Sequence, residues 1–182
     1  YDLWLGPARW TPYDDQKCTY NWYFMQDYCA GWIESWGVHH IDIALWGQPV
    51  LMNSTLEIEG SATFPTEGAA NTSLTWNVTC TPPKGPKLVF TDSATKSPVG
   101  VTFIGDQGRV FVTRGSVKPE PESLLEWTPK DGDKQLQVSS HHQRDFFEAI
   151  RTRRDPVSPV ESGHAATTLT LVSDIATRVK RK

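Results

Sequence analysis

The chain's 182 residues, 38% of them hydrophobic and 21% charged, suffice for one packed domain and are too apolar for a disordered chain. A net charge of −3 argues against a protein built to grip nucleic-acid phosphates, and no apolar run approaches the ~18 residues a membrane span needs. Cys18, Cys29 and Cys80 are odd in number and lack metal-ligand spacing, so neither a disulfide scaffold nor a metal centre is expected.

Residues 1–30 read as an irregular, aromatic segment. Gly6-Pro7, Thr11-Pro12 and Asp14-Asp15 break any period, while Trp4, Trp10, Tyr13, Tyr20, Trp22, Tyr23 and Phe24 crowd in. Six of the eight tryptophans fall at or before Trp46, which points to a rigid aromatic surface. The opening Tyr1-Asp2-Leu3-Trp4 has no initiator methionine, and the expectation is a piece of a longer polypeptide.

From about Ala30 to Trp46 the period becomes helical. Ile33, Gly37, Ile41, Ala44 and Leu45 form an apolar stripe, and Ser35, His39 and Asp42 share another face flanked by Trp32 and Trp46. Gly47 and Pro49 end the helix. Ser54–Glu59, Ser73–Cys80, Lys87–Thr91, Val99–Ile104 and Arg109–Thr113 read as strands, the last two joined by Gly105-Asp106-Gln107-Gly108 as a hairpin. Antiparallel pairing follows.

Residues 116–138 read as irregular. Ser140-His141-His142-Gln143 fits a capping box that opens a helix through Arg153, with Phe146, Phe147 and Ile150 directed inward. Ser158-Pro159-Val160-Glu161 opens a last helix, with Ala165, Leu169, Val172, Ala176 and Val179 as its buried stripe. Residues 143–182 carry a charge of +3 against −6 for the rest. That excess, at Arg151, Arg153 and Arg154 and again at Arg178, Lys180, Arg181 and Lys182, suits helix C-termini better than a nucleic-acid patch. The Asn-x-Ser/Thr triplets at Asn53, Asn71 and Asn77 read as chance matches in strand-rich sequence.

His39, with Asp42 on the same face, is the most suggestive titratable group; His40 points about 100° away on a helix. No Gly-rich phosphate cradle and no Gly-x-Ser-x-Gly elbow is present.

Several separated motifs resemble one family in order. They are Tyr1-Asp2-Leu3-Trp4-Leu5-Gly6-Pro7, Trp36-Gly37-Val38-His39-His40-Ile41-Asp42-Ile43-Ala44-Leu45-Trp46-Gly47, Phe103-Ile104-Gly105-Asp106-Gln107-Gly108, and Ile150-Arg151-Thr152-Arg153 with Glu161-Ser162-Gly163-His164. Across the whole chain they look like the C-terminal domain of Gfo/Idh/MocA-type oxidoreductases, in particular a bacterial, NADH-dependent dehydrogenase-like branch. The resemblance implies an α+β domain like the C-terminal domain of glyceraldehyde-3-phosphate dehydrogenase. In it an open, mainly antiparallel sheet carries helices on one face, and residues 1–182 form a single substrate-binding and oligomerisation domain.

The resemblance also implies a site. His39 becomes the proton acceptor, with Asp42 as the last acidic position of the family's helix; Ser35 stands where the family carries its first Asp. A serine supports a neighbouring imidazole less than a carboxylate does. Trp10, Tyr13, Asn21, Trp22, Tyr23 and Asp27 are then expected to line a sugar or polyol pocket. NAD or NADP and a catalytic lysine belong to a Rossmann domain of the full-length enzyme. No cofactor is expected on this fragment, which should be inactive alone. Homo-oligomers through the sheet face, no nucleic-acid or membrane partner, and a cytoplasmic location complete the expectation, any export signal lying upstream of Tyr1. The alternative from a different class is a non-catalytic carbohydrate-binding or assembly module of the same descent, which Ser35 favours.

Overall fold

The computed structural model describes residues 1–133 and 135–179. Lys180, Arg181 and Lys182, assigned above to a helix C-terminus, lie outside the described residues.

The aromatic opening segment is built from short turns: α1 (Asp2–Leu5), α2 (Asp15–Cys18) and a 3₁₀ turn at Tyr20–Phe24. Asp14 caps α2 by accepting from the Gln16 N–H at 2.9 Å. The predicted helix over 30–46 is two helices, α3 (Trp32–Ser35) and α4 (Gly37–Gly47), meeting at Trp36, whose φ of −100° stretches the joint. α5 (Val50–Asn53) follows, so the first strand begins at Glu57 and not at Ser54.

The strands are antiparallel throughout and fall into two three-stranded sheets. In the first, β1 (Glu57–Thr63), β2 (Thr75–Thr81) and β3 (Leu88–Thr91) lie side by side, with Asn77 opposite both Ser61 and Thr91. The alternation along β2 is as expected: Trp76, Val78 and Cys80 are buried, and Asn77 and Thr81 face solvent. The second sheet holds β4 (Val101–Gly105), β5 (Gly108–Thr113) and β6 (Ser116–Glu120), with Gly105 pairing Gly108 across the expected tight turn. β6 lies in the stretch read as irregular. Its Lys-Pro-Glu sequence hides a strand, and as the edge of its sheet it tolerates Pro119.

α6 (His142–Thr152) and α7 (Val160–Val179) close the chain. α7 covers β1 and β2, and its middle packs on α3 and α4. The core gathers Ala30, Ile33, Ile41, Leu45, Leu51, Trp76, Val78, Cys80, Phe90, Ala166 and Leu169. Gly37 exists for this packing: a Cβ there would stand 2.6 Å from the Phe90 ring. At the other end of α4, Gly47 admits Phe103 of β4 equally closely, which docks the second sheet alongside α4.

Three readings of the C-terminal half are corrected. The N-cap of α6 is His141, whose Nδ1 accepts from the Arg144 N–H at 3.3 Å, so the capping box at Ser140 is not used. Phe146, Phe147 and Ile150 face outward, 55%, 67% and 49% exposed; the buried face of α6 is Asp145 and Ala149. Asp145 is tied down by the Val157 N–H at 2.6 Å and by Arg154 at 2.6 Å, which together hold its carboxyl below the usual range. In α7 Leu169 and Ala176 are buried as expected, but the buried face also takes Ser162, Ala166, Thr170, Ser173, Asp174 and Thr177, and Val179 is 46% exposed. Small side chains let a helix lie close on a sheet, and Ser173, for one, returns its hydroxyl to the Leu169 carbonyl at 2.7 Å.

Candidate functional site

The site is the solvent-facing side of the α3–α4 joint. His39 is exposed, and no residue among those described hydrogen-bonds its ring. It meets Trp36 edge-on, with ring centroids 5.4 Å apart. Trp36, His39, Ile43 and Trp46 follow at spacings of three and four, so they share one face of α4. The opposite face, Ile41, Ala44 and Leu45, is sealed in the core. That division fixes the His39 backbone while leaving the imidazole open to solvent.

From Trp36 a run of rings continues into the opening segment. Trp32 lies 6.4 Å from Trp36, Tyr23 5.2 Å from Trp32, and Tyr20 stacks on Tyr23 at 5.3 Å. Trp22 packs against Tyr23 at 6.0 Å. Trp32, Trp36 and Trp46 keep 45%, 43% and 38% of their surface exposed, and of the three Trp36 meets the imidazole.

Ser35 is bound into this wall. Its hydroxyl is in hydrogen-bond contact with the Tyr23 hydroxyl, and with the Gly31 carbonyl at 2.7 Å. Burial, above all, pushes the Tyr23 phenol above its ordinary value, while Ser35 pulls the other way. A serine has one hydrogen to give, and a phenolate would claim it more strongly than a neutral carbonyl. Ser35→Ala therefore moves the Tyr23 titration to still higher pH, readable by NMR of isotope-labelled tyrosine; an unchanged or lower midpoint contradicts the pairing.

Asp42 is turned to the other side. Its carboxylate accepts from the Ser162 hydroxyl at 3.2 Å, which links α4 to the start of α7. The residues expected to line a pocket divide. Tyr23 and Trp22 belong to the wall beside His39. Tyr13 instead meets Tyr1, in a second cluster with Trp4 and Tyr28. Asn21 donates to Gln16 at 3.3 Å, Trp10 is 66% exposed with no ring contact among the described residues, and Asp27 is exposed.

Two further residues stand at the joint: Arg114, which the sequence did not single out, and His40, which it set aside as pointing away from His39. Arg114, in the β5–β6 turn, lays its guanidinium over the Trp36 ring, 5.1 Å from the centroid. His40 is half-buried, and burial, followed by the positive neighbours His39 and Arg114, lowers its basicity against a backbone hydrogen bond at Trp36. Nothing in the local sequence marks Arg114, because only the pairing of β4–β6 beside α4 brings it to Trp36. Two clefts lie elsewhere. One of about 690 Å³ runs along α7 between Leu51, Ile58, Val172 and Val179, and one of about 490 Å³ lies between Phe146 and Pro159. Among the described residues no three His, Cys, Asp or Glu side chains could together hold a metal ion, and no helix is long and apolar enough to cross a membrane.

The domain is an antiparallel α+β fold without a parallel βαβ nucleotide-binding unit among the described residues. Over residues 1–182 the chain matches the Gfo/Idh/MocA oxidoreductase family, C-terminal alpha/beta domain, and it belongs to that family. Two solved structures share the fold. An oxidoreductase domain protein from Kribbella flavida superposes with a TM-score of 0.56 at 14% identity, over 99% of this chain and 54% of that one. An NAD-binding protein from Listeria innocua gives 0.54 at 13% identity, over 96% of this chain and 55% of that one. The chain thus spans about half the length of the solved structures it matches. No match is found among curated proteins.

Proposed function

We propose that this chain is the substrate-side domain of an NAD(P)-dependent oxidoreductase acting on a sugar, a polyol or a related carbohydrate. The observation that carries the reading is the exposed His39 ring set against Trp36 on a helix whose other face is locked in the core. Aromatic faces such as Trp36 and Trp32 can stack on the C–H faces of a sugar, and an imidazole that meets Trp36 and makes no hydrogen bond among the described residues can take a hydroxyl proton. Membership of an oxidoreductase family and an NAD-binding structural neighbour support the redox class.

The described residues do not fit a dinucleotide: both sheets are antiparallel, and no Gly-rich strand-to-helix turn is available for a pyrophosphate. NAD or NADP is therefore assigned to another domain of the full-length protein, and this chain alone is inactive. What it contributes is binding and proton transfer. Trp32 and Trp36 orient the ring of the substrate, His39 as neutral imidazole accepts the hydroxyl proton, and Asp42 anchors α4 to Ser162 without touching substrate. Self-association through the outer face of the first sheet, where Thr63 and Thr75 share a hydrogen bond at 2.7 Å, and a cytoplasmic location belong to the same proposal.

The test is an initial-rate survey of the full-length protein with each dinucleotide and a panel of aldoses, sugar acids and polyols. Formation of reduced nicotinamide with at least one of them is expected. Binding of a carbohydrate without any turnover would instead favour a non-catalytic module, the reading suggested by the capture of Ser35 by Tyr23.

A further inference from the structure

We propose that Arg114 receives an oxyanion of the substrate, so that the carbohydrate handled at His39 is an acidic one, bearing a carboxylate or a phosphate. This rests on the substrate-side reading above and narrows it.

The joint carries one fixed cation, Arg114, on the indole that His39 also meets. Arg114 lies over Trp36, His39 leans on the edge of the same indole, and His40 stands at 6.3 Å from it. The carboxylates nearest in sequence are engaged elsewhere: Asp42 with Ser162 at 3.2 Å, and Glu34 towards the Cys29 thiol at 3.9 Å. Among the described residues no carboxylate pairs with Arg114. Arg109, Arg151, Arg154 and Arg178 each meet a Glu or an Asp, whereas Arg9, Arg144 and Arg153, like Arg114, form no ion pair among the described residues.

A guanidinium stacked on an indole keeps its planar fork of donors free at the edge. Stacking also removes much of the side-chain freedom that an arginine would lose on gripping a ligand. The guanidinium lies on the indole against which a sugar would stack and which the His39 imidazole also meets. An oxyanion on the substrate would complete the corner, as Glu120 does for Arg109. A neutral sugar would leave those donors to water.

The experiment measures equilibrium binding of D-glucose, D-glucuronate and D-glucose 6-phosphate to the full-length protein by calorimetry at fixed ionic strength. An acidic probe is expected to bind at least about ten-fold more tightly than glucose, the difference made by one charge-assisted contact. Arg114→Gln should erase that preference. Arg114→Lys should restore it only in part, because an ammonium lacks the bidentate fork. Whether glucuronate or the phosphate gains more identifies the oxyanion. Equal binding of all three probes, no binding of either acidic probe, or an acidic preference that survives Arg114→Gln overturns the proposal. Because binding is read without turnover, the outcome is independent of His39: a His39→Ala protein that turns over normally defeats the proton-acceptor reading and leaves the Arg114 result to stand or fall alone.

Discussion

His39→Ala in the full-length protein is expected to lower kcat by about 10²- to 10⁴-fold, the range over which a positioned general base accelerates proton transfer. The expectation rests on placement. The ring is exposed, unengaged by hydrogen bonds among the described residues, and held edge-on to Trp36 at 5.4 Å. Nothing in the core depends on it, so the variant should unfold at the same denaturant concentration as the parent. A loss of rate with stability preserved is the signature of a chemical role. A rate within a factor of two or three of the parent would mean that another group takes the proton.

Leu45→Ala, on the opposite face of the same helix, should do the reverse. Leu45 is 1% exposed and packed in the cluster with Ile33, Ile41, Trp76 and Val78. Truncating a fully buried leucine costs about 2–5 kcal/mol, from lost apolar burial and the cavity left behind. That is a large part of the roughly 5–15 kcal/mol that holds an average domain together. Denaturation followed by circular dichroism should show a clearly lower midpoint, while kcat well below the transition stays near the parent value. An unchanged midpoint would contradict the placement of this face of α4 in the core. The two variants together separate the wall that holds the site from the ring that acts in it.

The strands and the last helices were legible because their signals are local. The alternation through Trp76, Val78 and Cys80 and the tight turn at Gly105–Gly108 needed no tertiary information. Periodicity also identified which residues of α6 share a face, yet it could not show whether that face has a partner: Phe146, Phe147 and Ile150 turn out to be exposed. In α7 the packing criterion was closeness and not hydrophobicity, so Ser162, Ser173 and Thr177 go inside while Ile175 stays 52% exposed. β6 was missed because an edge strand with Pro119 carries a turn-like composition.

The site was legible to a similar depth. The His39 face of α4 could be read from spacing, and the family motif from several ordered segments. The break at Trp36 could not, since a helical period runs through it unchanged. Asp42 shares the His39 face by spacing, but the partner that claims it, Ser162, lies 120 residues away. Arg114 reaches Trp36 only through the docking of a separate sheet. The aromatic residues of the opening segment divided between two clusters for the same reason: composition counts rings, and tertiary contacts assign them.

The most direct measurement is a crystal structure of the full-length protein with its dinucleotide and a carbohydrate bound. The account predicts a hydroxyl of the carbohydrate within about 2.6–3.2 Å of the His39 imidazole, with the sugar lying against Trp36. A carbohydrate seated in the groove along α7 or against Phe146, with His39 facing bulk water, would contradict it.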